Sequence, residues 1–326
     1  MTATRTPRIV IIGAGAVGAD TAYTLYLRER APDIVLVDID DQRARGEALD
    51  MQHGQALAGG ARVRAGNYAD CAGAAIVIIT AGAAQKPGQS REALLERNGE
   101  IIASIVAAAE QHMGPETVML IATNPVDTLA QIAARHARRP TRRVIGSGTV
   151  LDSARLRWEL GEKFGVDARH VHAHVIGEHG DSELVVWSHA HVAGAPLALP
   201  VLQREEIARA TREGAYEVIR AKGHTSHAIA LSLDRICAAI LNDDHAVLTV
   251  STDLDGAYGM SDLYLSVPCV VGRTGVERVI EMELDAAERA ALAHSASVLR
   301  QRIDSIEPAA WPSDVTRDND TIRTSL

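Results

Sequence analysis

IVIIGAGAVGAD, residues 9–20, runs from an apolar, β-branched strand directly into three glycines spaced GxGxxG and on into a helical pattern. Gly13 suits the tight turn that ends the strand. Gly15 lets backbone approach a pyrophosphate, and Gly18 lets the helix pack closely on the strand. The first turn of that helix presents free N–H groups and a favourable dipole to phosphates. GxGxxG alone is weak evidence, but Asp38 follows at the end of the next apolar run, 20 positions beyond Gly18. A carboxylate there accepts from ribose hydroxyls and repels a 2′-phosphate, which favours NAD over NADP.

The pattern repeats outward from this stretch. RIVII (8–12), DIVLVD (33–38), AAIVIIT (74–80) and TVMLIAT (117–123) alternate with helical segments at 16–30, 41–55 and 91–112. Strands alternating with helices predict a doubly wound parallel sheet covered on both faces. After about residue 148 the texture changes. A helix at 151–165 leads into HVHAHVIGEH (170–179), which reads as one alternating strand. Helices follow at 205–221 and 227–241, then hairpin-like strands at 246–252 and 262–272. The expectation is a Rossmann-type α/β fold with a dinucleotide-binding domain over 1–148, a mixed α+β substrate domain over 149–306, and a loosely held tail over 307–326.

The chain has 326 residues, 47% of them hydrophobic, and a net charge of −9. That suits a globular protein with a sizeable core and disfavours nucleic acid or an anionic membrane as a partner. Cys71, Cys237 and Cys269 are widely spaced with no CxxC pair, so neither a disulfide framework nor a zinc ribbon is expected. No apolar run approaches the roughly 20 residues that span a bilayer, and MTATRTPR does not read as a signal peptide. A cytoplasmic location is expected.

IGEHGDSE (176–183) places His179 between glycine-bounded turns at the end of an apolar run. Alone, such a histidine reads as structural. Asp152 and Arg155, at i and i+3 in TVLDSARLR, read alone as a solvated ion pair. Beside a dinucleotide fingerprint they form a chemical set. Hydride transfer to a 2-oxo acid needs a proton donor, a fork for the carboxylate and a cation at the carbonyl. His179, Arg155 and Arg91 fill these roles, with Asp152 orienting the imidazole.

These residues and the stretches GAGAVG, AGAAQKPGQSR, ATNPVD, GSGTVLDSARLR, IGEHGDSE and KGHTSHA resemble the lactate/malate dehydrogenase family from residue 8 to about 305. Within it they are similar to bacterial L-lactate dehydrogenases activated by fructose 1,6-bisphosphate. The resemblance implies that His179 is the acid/base, Asp152 its partner, Arg155 the carboxylate anchor and Arg91 the carbonyl polariser on a closing loop. It implies that Asn124 and Thr225 line the substrate pocket. For NAD it points to Val17, Asp38, Arg43, Tyr68, Gly82, Ala83, Ser104, Ala122, Asn124 and Ser147, beside Gly13, Gly15 and Gly18. It also implies a homo-oligomer, a tetramer.

Gln85 occupies the family's main specificity position, where malate enzymes carry arginine. A neutral amide leaves room for a methyl group and penalises a second buried carboxylate. Pyruvate and lactate are therefore the expected pair, with longer 2-hydroxy acids and then malate as alternatives. The pair facing the substrate side chain, Gly214–Ala215, replaces two alanines common in lactate enzymes, and the segment 193–205 is shorter than usual in the family. Both features favour some tolerance of a longer side chain.

Arg157 is rotated about 200° from Arg155 on the helix. With His172 it matches the positions that bind the effector's phosphates in the activated enzymes. His170, His172 and His174 alternate, but no carboxylate or cysteine cluster supports a metal reading there. A non-catalytic NAD sensor is expected to lack one of Asp152, Arg155, His179 and Arg91, and all four are present. The serine of GQSRE lacks the second glycine of a nucleophile elbow.

Overall fold

The computed structural model describes residues 7–83 and 91–306; the side chain of Arg91 also lies outside the described part. The expectations placed on Gln85, on the side chain of Arg91 and on the tail over 307–326 thus fall outside the described residues.

The first half runs β1 (Arg8–Ile12), α1 (Ala16–Leu27), β2 (Asp33–Val37), α2 (Asp41–His53), β3 (Arg62–Ala65), β4 (Ile76–Ile79), α3 (Arg91–Glu110), β5 (Val118–Ile121), α4 (Val126–His136) and β6 (Val144–Gly146). The second half runs α5 (Val150–Phe164), β7 (Val171–His172), β8 (Val175–Ile176), β9 (Leu184–Val185), β10 (His191–Val192), β11 (Ala195–Pro196), α6 (Val201–Lys222), α7 (His227–Asn242), β12 (Ala246–Asp253), β13 (Tyr264–Gly272), β14 (Gly275–Val279) and α8 (Ala286–Asp304).

Six parallel strands stand in the order β3-β2-β1-β4-β5-β6, so the order reverses between β1 and β4. A crevice opens at that reversal, outside the carboxyl ends of the strands, and there a dinucleotide binds in such sheets. Along β1 the side chains divide as the pleat requires. Ile9 and Ile11 enter one core layer, and Val10 and Ile12 enter the other. Both faces are apolar, which is why these strands read as continuous rather than alternating runs.

The sheet does not end with β6. Antiparallel β12, β13 and β14 extend it to nine strands among the described residues, joined through Ser251 opposite Gly146. A third apolar cluster, including Leu156, Leu160, Val171, Val175 and Ile207, lies under α5 and α6.

Two expectations need correction. HVHAHVIGEH is not one strand: β7 and β8 belong to different small sheets. The reason lies in α5. The Thr149 hydroxyl donates to the carbonyl of Val175 at 2.6 Å, the Ser153 hydroxyl oxygen accepts from the Val175 N–H at 3.0 Å, and Arg157 Nε donates to the carbonyl of Ala173 at 3.1 Å. Side chains of α5 satisfy backbone that a continuous strand would have used in its ladder. His170 accordingly sits in a 3-10 turn, and the three histidines do not line one strand face. The helix expected from residue 205 begins at Val201, with Pro200 as its N-cap, so the preceding connection is short.

Candidate active site

The glycine turn has the geometry its spacing required. Gly13 adopts φ +111°, and its N–H donates to the carbonyl of Val37 at 2.7 Å. A Cβ on Gly18 would lie 1.8 Å from the Gly13 carbonyl oxygen, so only glycine lets α1 start this close to β1. A Cβ on Gly15 would meet nothing within 4 Å. It faces open space, as a residue approached by a ligand's phosphates must.

Asp38 is fastened across this turn. One carboxylate oxygen accepts from the Ala14 N–H at 2.6 Å, the other from the Asp40 N–H at 2.9 Å. Both contacts come from backbone and leave acceptor capacity for ribose hydroxyls. Tyr68 stands half-buried nearby; burial raises its phenol's pKa, with Cys71 and Asp38 adding to the effect. Val17 is half-buried, Arg43 lies exposed in the first turn of α2, and Ser104 is exposed on α3. The turn, Asp38 and the start of the 81–83 segment thus gather at the carboxyl ends of β1, β2 and β4, and their open acceptors fit an adenine dinucleotide.

On the other side of the crevice, Asn98 was not singled out by sequence and proves central. It is buried on α3; its Oδ1 accepts from the Ala83 N–H at 2.7 Å and its amide donates to the Asn124 carbonyl at 3.4 Å. It therefore ties the Gly82–Ala83 segment to the end of β5, where Ala122 is half-buried and Asn124 exposed. Ser147, buried after β6, is held by its N–H to the Ile121 carbonyl at 2.8 Å.

Asp152 and His179 meet in the second half. His179 Nδ1 lies 2.5 Å from Asp152 Oδ2, and Arg155 Nη1 donates to Asp152 Oδ1 at 2.8 Å. Asp152 is 1% exposed, so the pair is not the solvated contact its spacing alone suggests. Burial opposes its charge, but His179 and Arg155 outweigh burial and lower its pKa. Burial likewise opposes the imidazolium; Asp152, Asp127 and Glu183 overcome it and hold the His179 pKa up at about 9. With Nδ1–H donated to Asp152, Nε2 is left as the nitrogen that can give or take a proton at a ligand.

Asp127 was also not singled out. Buried on α4, it accepts from the His179 backbone N–H and from the Ser266 hydroxyl, each at 2.7 Å. It pins the loop rather than the ring. From behind, Glu178 accepts from Ser182 and Arg302, while its N–H donates to Ser295 on α8 at 2.7 Å. His179 is thus held from α4, α5 and α8.

Gly214 faces the same site: a Cβ there would rest 3.7 Å from Arg155 Cδ, in ordinary contact. Ala215 is half-buried beside it on α6, and Thr225 is half-buried in the α6–α7 connection. Arg91 opens α3.

Arg157 and His172 lie on the opposite side of α5 from this site, facing the β7 segment. Arg157 is half-buried, and burial lowers its pKa. His172 is exposed and stacks on His191, with ring centroids 4.7 Å apart. Both bear on His174, whose pKa burial, then Arg157, His172, His189 and His191 push down to about 4.

Among the described residues, two groups bring possible metal-ligand atoms within 4.8 Å: Asp152, His179 and Glu183, and Asp243, His245 and Glu277. In each the histidine is already hydrogen-bonded to a carboxylate.

Comparison with known proteins identifies the family. Residues 7–146 match the lactate/malate dehydrogenase NAD-binding domain, and residues 149–309 the α/β C-terminal domain of the same family. An L-lactate dehydrogenase of Nitratidesulfovibrio vulgaris (strain DP4) is 46% identical over 91% of this chain and 98% of its own. One from Priestia megaterium is 42% identical over 92% and 96%. Among solved structures, a lactate dehydrogenase from a Medee basin deep-sea metagenome library superposes with a TM-score of 0.90 at 39% identity, covering 93% of this chain and 99% of that one. The minor L-lactate dehydrogenase from Enterococcus mundtii, in a ligands-bound form, gives 0.90 at 37%, with the same coverage. Matched in both halves and along nine-tenths of its length, the chain belongs to the lactate/malate dehydrogenase family and is an NAD-dependent oxidoreductase.

Proposed function

We propose that this chain is an L-lactate dehydrogenase interconverting (S)-lactate and pyruvate. The observation that carries the reading is the buried Asp152–His179 pair with Arg155 on the same carboxylate. The relatives named above carry that activity in their names.

The glycine turn and Asp38 would hold NAD, which when bound would supply the hydride acceptor or donor. Reduction adds one hydride and one proton to the 2-oxo group. His179 gives the proton from Nε2 to the forming alkoxide, and Asp152 stabilises the imidazolium before transfer. Arg155 anchors the substrate carboxylate as a planar fork. Arg91 polarises the carbonyl, and Asn124 and Thr225 line the pocket.

Gln85 favours a neutral side chain on the substrate, and the missing methyl at Gly214, where a Cβ would rest in ordinary contact with Arg155, supports tolerance of one slightly larger than methyl. Activation by fructose 1,6-bisphosphate at Arg157 and His172 is the second element of the proposal. It is supported by the gathering of Arg157 and the histidines His172, His189 and His191 around His174. Two phosphates need paired sites, which a two-fold oligomer supplies. Exposed Tyr23, Leu27 and Leu57, lining one depression on α1 and the end of α2, support assembly, proposed here as a tetramer. Three buried free cysteines support a reducing, cytoplasmic location, and no described helix is long and apolar enough to cross a membrane.

The test is NADH oxidation with pyruvate, 2-oxoisocaproate and oxaloacetate, each with and without the bisphosphate. Pyruvate should give the highest kcat/KM, with its half-saturation point lowered by the effector. A preference for oxaloacetate would overturn the substrate assignment. A half-saturation point unmoved between pH 6 and 8 would overturn the effector site.

A further inference from the structure

Glu183 sits just before β9 in the loop that carries His179, and it is 8% exposed. Among the described residues its carboxyl has no hydrogen-bond partner, although its oxygens come within 4.8 Å of the facing atoms of both His179 and Asp152. Buried carboxylates are normally paired or hydrogen-bonded, because losing water without replacement is costly. Arg212 of α6 acts on it electrostatically, yet Arg212 Nε is itself buried without a partner. A largely buried acid within 4.8 Å of the Asp152–His179 pair is placed to act on it through its charge.

We propose that Glu183, placed beside the Asp152–His179 pair, is a positioning residue that sets how tightly His179 holds its proton. This rests on the acid/base role given to His179 above.

The groups around the imidazole support it. Asp152 and Arg155 face it from α5, Asp127 from α4 and Glu183 from its own loop; Arg212 reaches Glu183 from α6. The Glu178–Arg302 ion pair lies behind the loop. Burial first, and then the negative charge of Asp152, raise the Glu183 pKa to about 8, against the pull of His179, Arg212 and Arg155. Below that pH one fewer anion bears on the imidazolium, so the proton is released to an alkoxide more readily. Above it, Glu183 gains charge and helps keep the imidazole protonated. Two groups coupled this closely titrate as a pair. The consequence is a reduction reaction that persists further into alkaline pH than the Asp152–His179 pair alone would allow.

The experiment is an NMR titration of the His179 imidazole in the full-length protein without substrate, comparing wild type with Glu183→Gln and Glu183→Asp. It is paired with the pH profile of kcat/KM for pyruvate. Glu183→Gln should lower the imidazole titration and the alkaline limb together, by about one pH unit, while Glu183→Asp should retain the wild-type titration. An imidazole that titrates in Glu183→Gln within about 0.2 units of wild type overturns the proposal. Carbon-detected titration of Glu183 in the wild-type protein decides the matter without any variant: a midpoint near the ordinary value of about 4.3 overturns it, and one near 8 supports it. A wild-type protein inactive on pyruvate would defeat the proposed function while leaving both titrations readable.

Discussion

His179 Nδ1 and Asp152 Oδ2 stand 2.5 Å apart across 27 positions of sequence, and Arg155 occupies the other oxygen of the same carboxylate. Asp152 therefore serves two cations at once, one on each oxygen. The raised His179 pKa of about 9 gives the sign of the pH response. The proton is fully bound below the ordinary histidine value of 6.5, and both the stabilisation and the acid function are lost as pH rises through about 9. Asp152→Asn should lower kcat/KM for 2-oxo acid reduction by about 10²–10⁴-fold. It should also move the alkaline limb to lower pH. An unmoved limb in the pH profile would show that Asp152 does not govern the imidazole.

Asp127 acts on the His179 ring through its charge, but its hydrogen bonds go to the loop. Two buried donors, the His179 N–H and the Ser266 hydroxyl, end on its carboxylate. Asp127→Ala leaves both without an acceptor, which should lower the unfolding free energy by about 2–4 kcal/mol, measured by urea denaturation. Asp127→Asn keeps an acceptor oxygen and should lose less. Equal losses for the two variants would mean that the hydrogen bonds are not what the residue contributes.

What could be read from the sequence was local. The strand, the GxGxxG turn and Asp38 lie within 30 consecutive residues, and each has a backbone reason that spacing exposes. Asp152, Arg155 and His179 were legible only as a set, because burial of Asp152 and the arrival of His179 from 27 positions away turn an ordinary i, i+3 contact into a shared buried carboxylate. Asn98 and Asp127 gave no signal, since their hydrogen bonds reach segments 15 to 139 positions away. Asn98 in the middle of a helix and Asp127 in ATNPVD were the places to look. The strand expected through HVHAH failed for a related reason: Thr149, Ser153 and Arg157 reach over from α5 and take its backbone groups. β6 has only three residues, charged side chains interrupt β3 (RVRA) and β14 (GVERV), and α8 was passed over although Asp285 and Glu288 form a capping box at its start.

The two glycines of the turn should separate folding from binding. Gly18→Ala puts a methyl 1.8 Å from the Gly13 carbonyl oxygen, so α1 must shift and the protein should be destabilised, with a lower Tm. Gly15→Ala meets no protein atom, so its Tm should stay near wild type while NADH binding weakens at least tenfold, about 1.4 kcal/mol. Calorimetry on the two variants checks both halves. Normal NADH affinity in a folded Gly15→Ala protein would remove Gly15 from the phosphate cradle.

His174 should mark the acid limit of stability. It is half-buried behind β7, its Nδ1 has no partner, and its pKa is pushed down to about 4 from 6.5 by burial and by Arg157, His172, His189 and His191. The unfolded chain binds this proton more readily than the folded one. Stability is therefore unaffected above about 6.5 and falls as pH drops from there to about 4, by at most about 3 kcal/mol from this group. His174→Gln removes the titration, so the difference in unfolding free energy between variant and wild type should shift in the variant's favour on going from pH 7 to pH 5. The comparison cancels the carboxylates common to both proteins. A difference that stays constant across that range would mean that His174 is charged, or free to be charged, in the folded state. The same shift should shrink when a polyanion or the bisphosphate occupies the Arg157–His172 face, since bound phosphate offsets the cations that oppose protonation of His174.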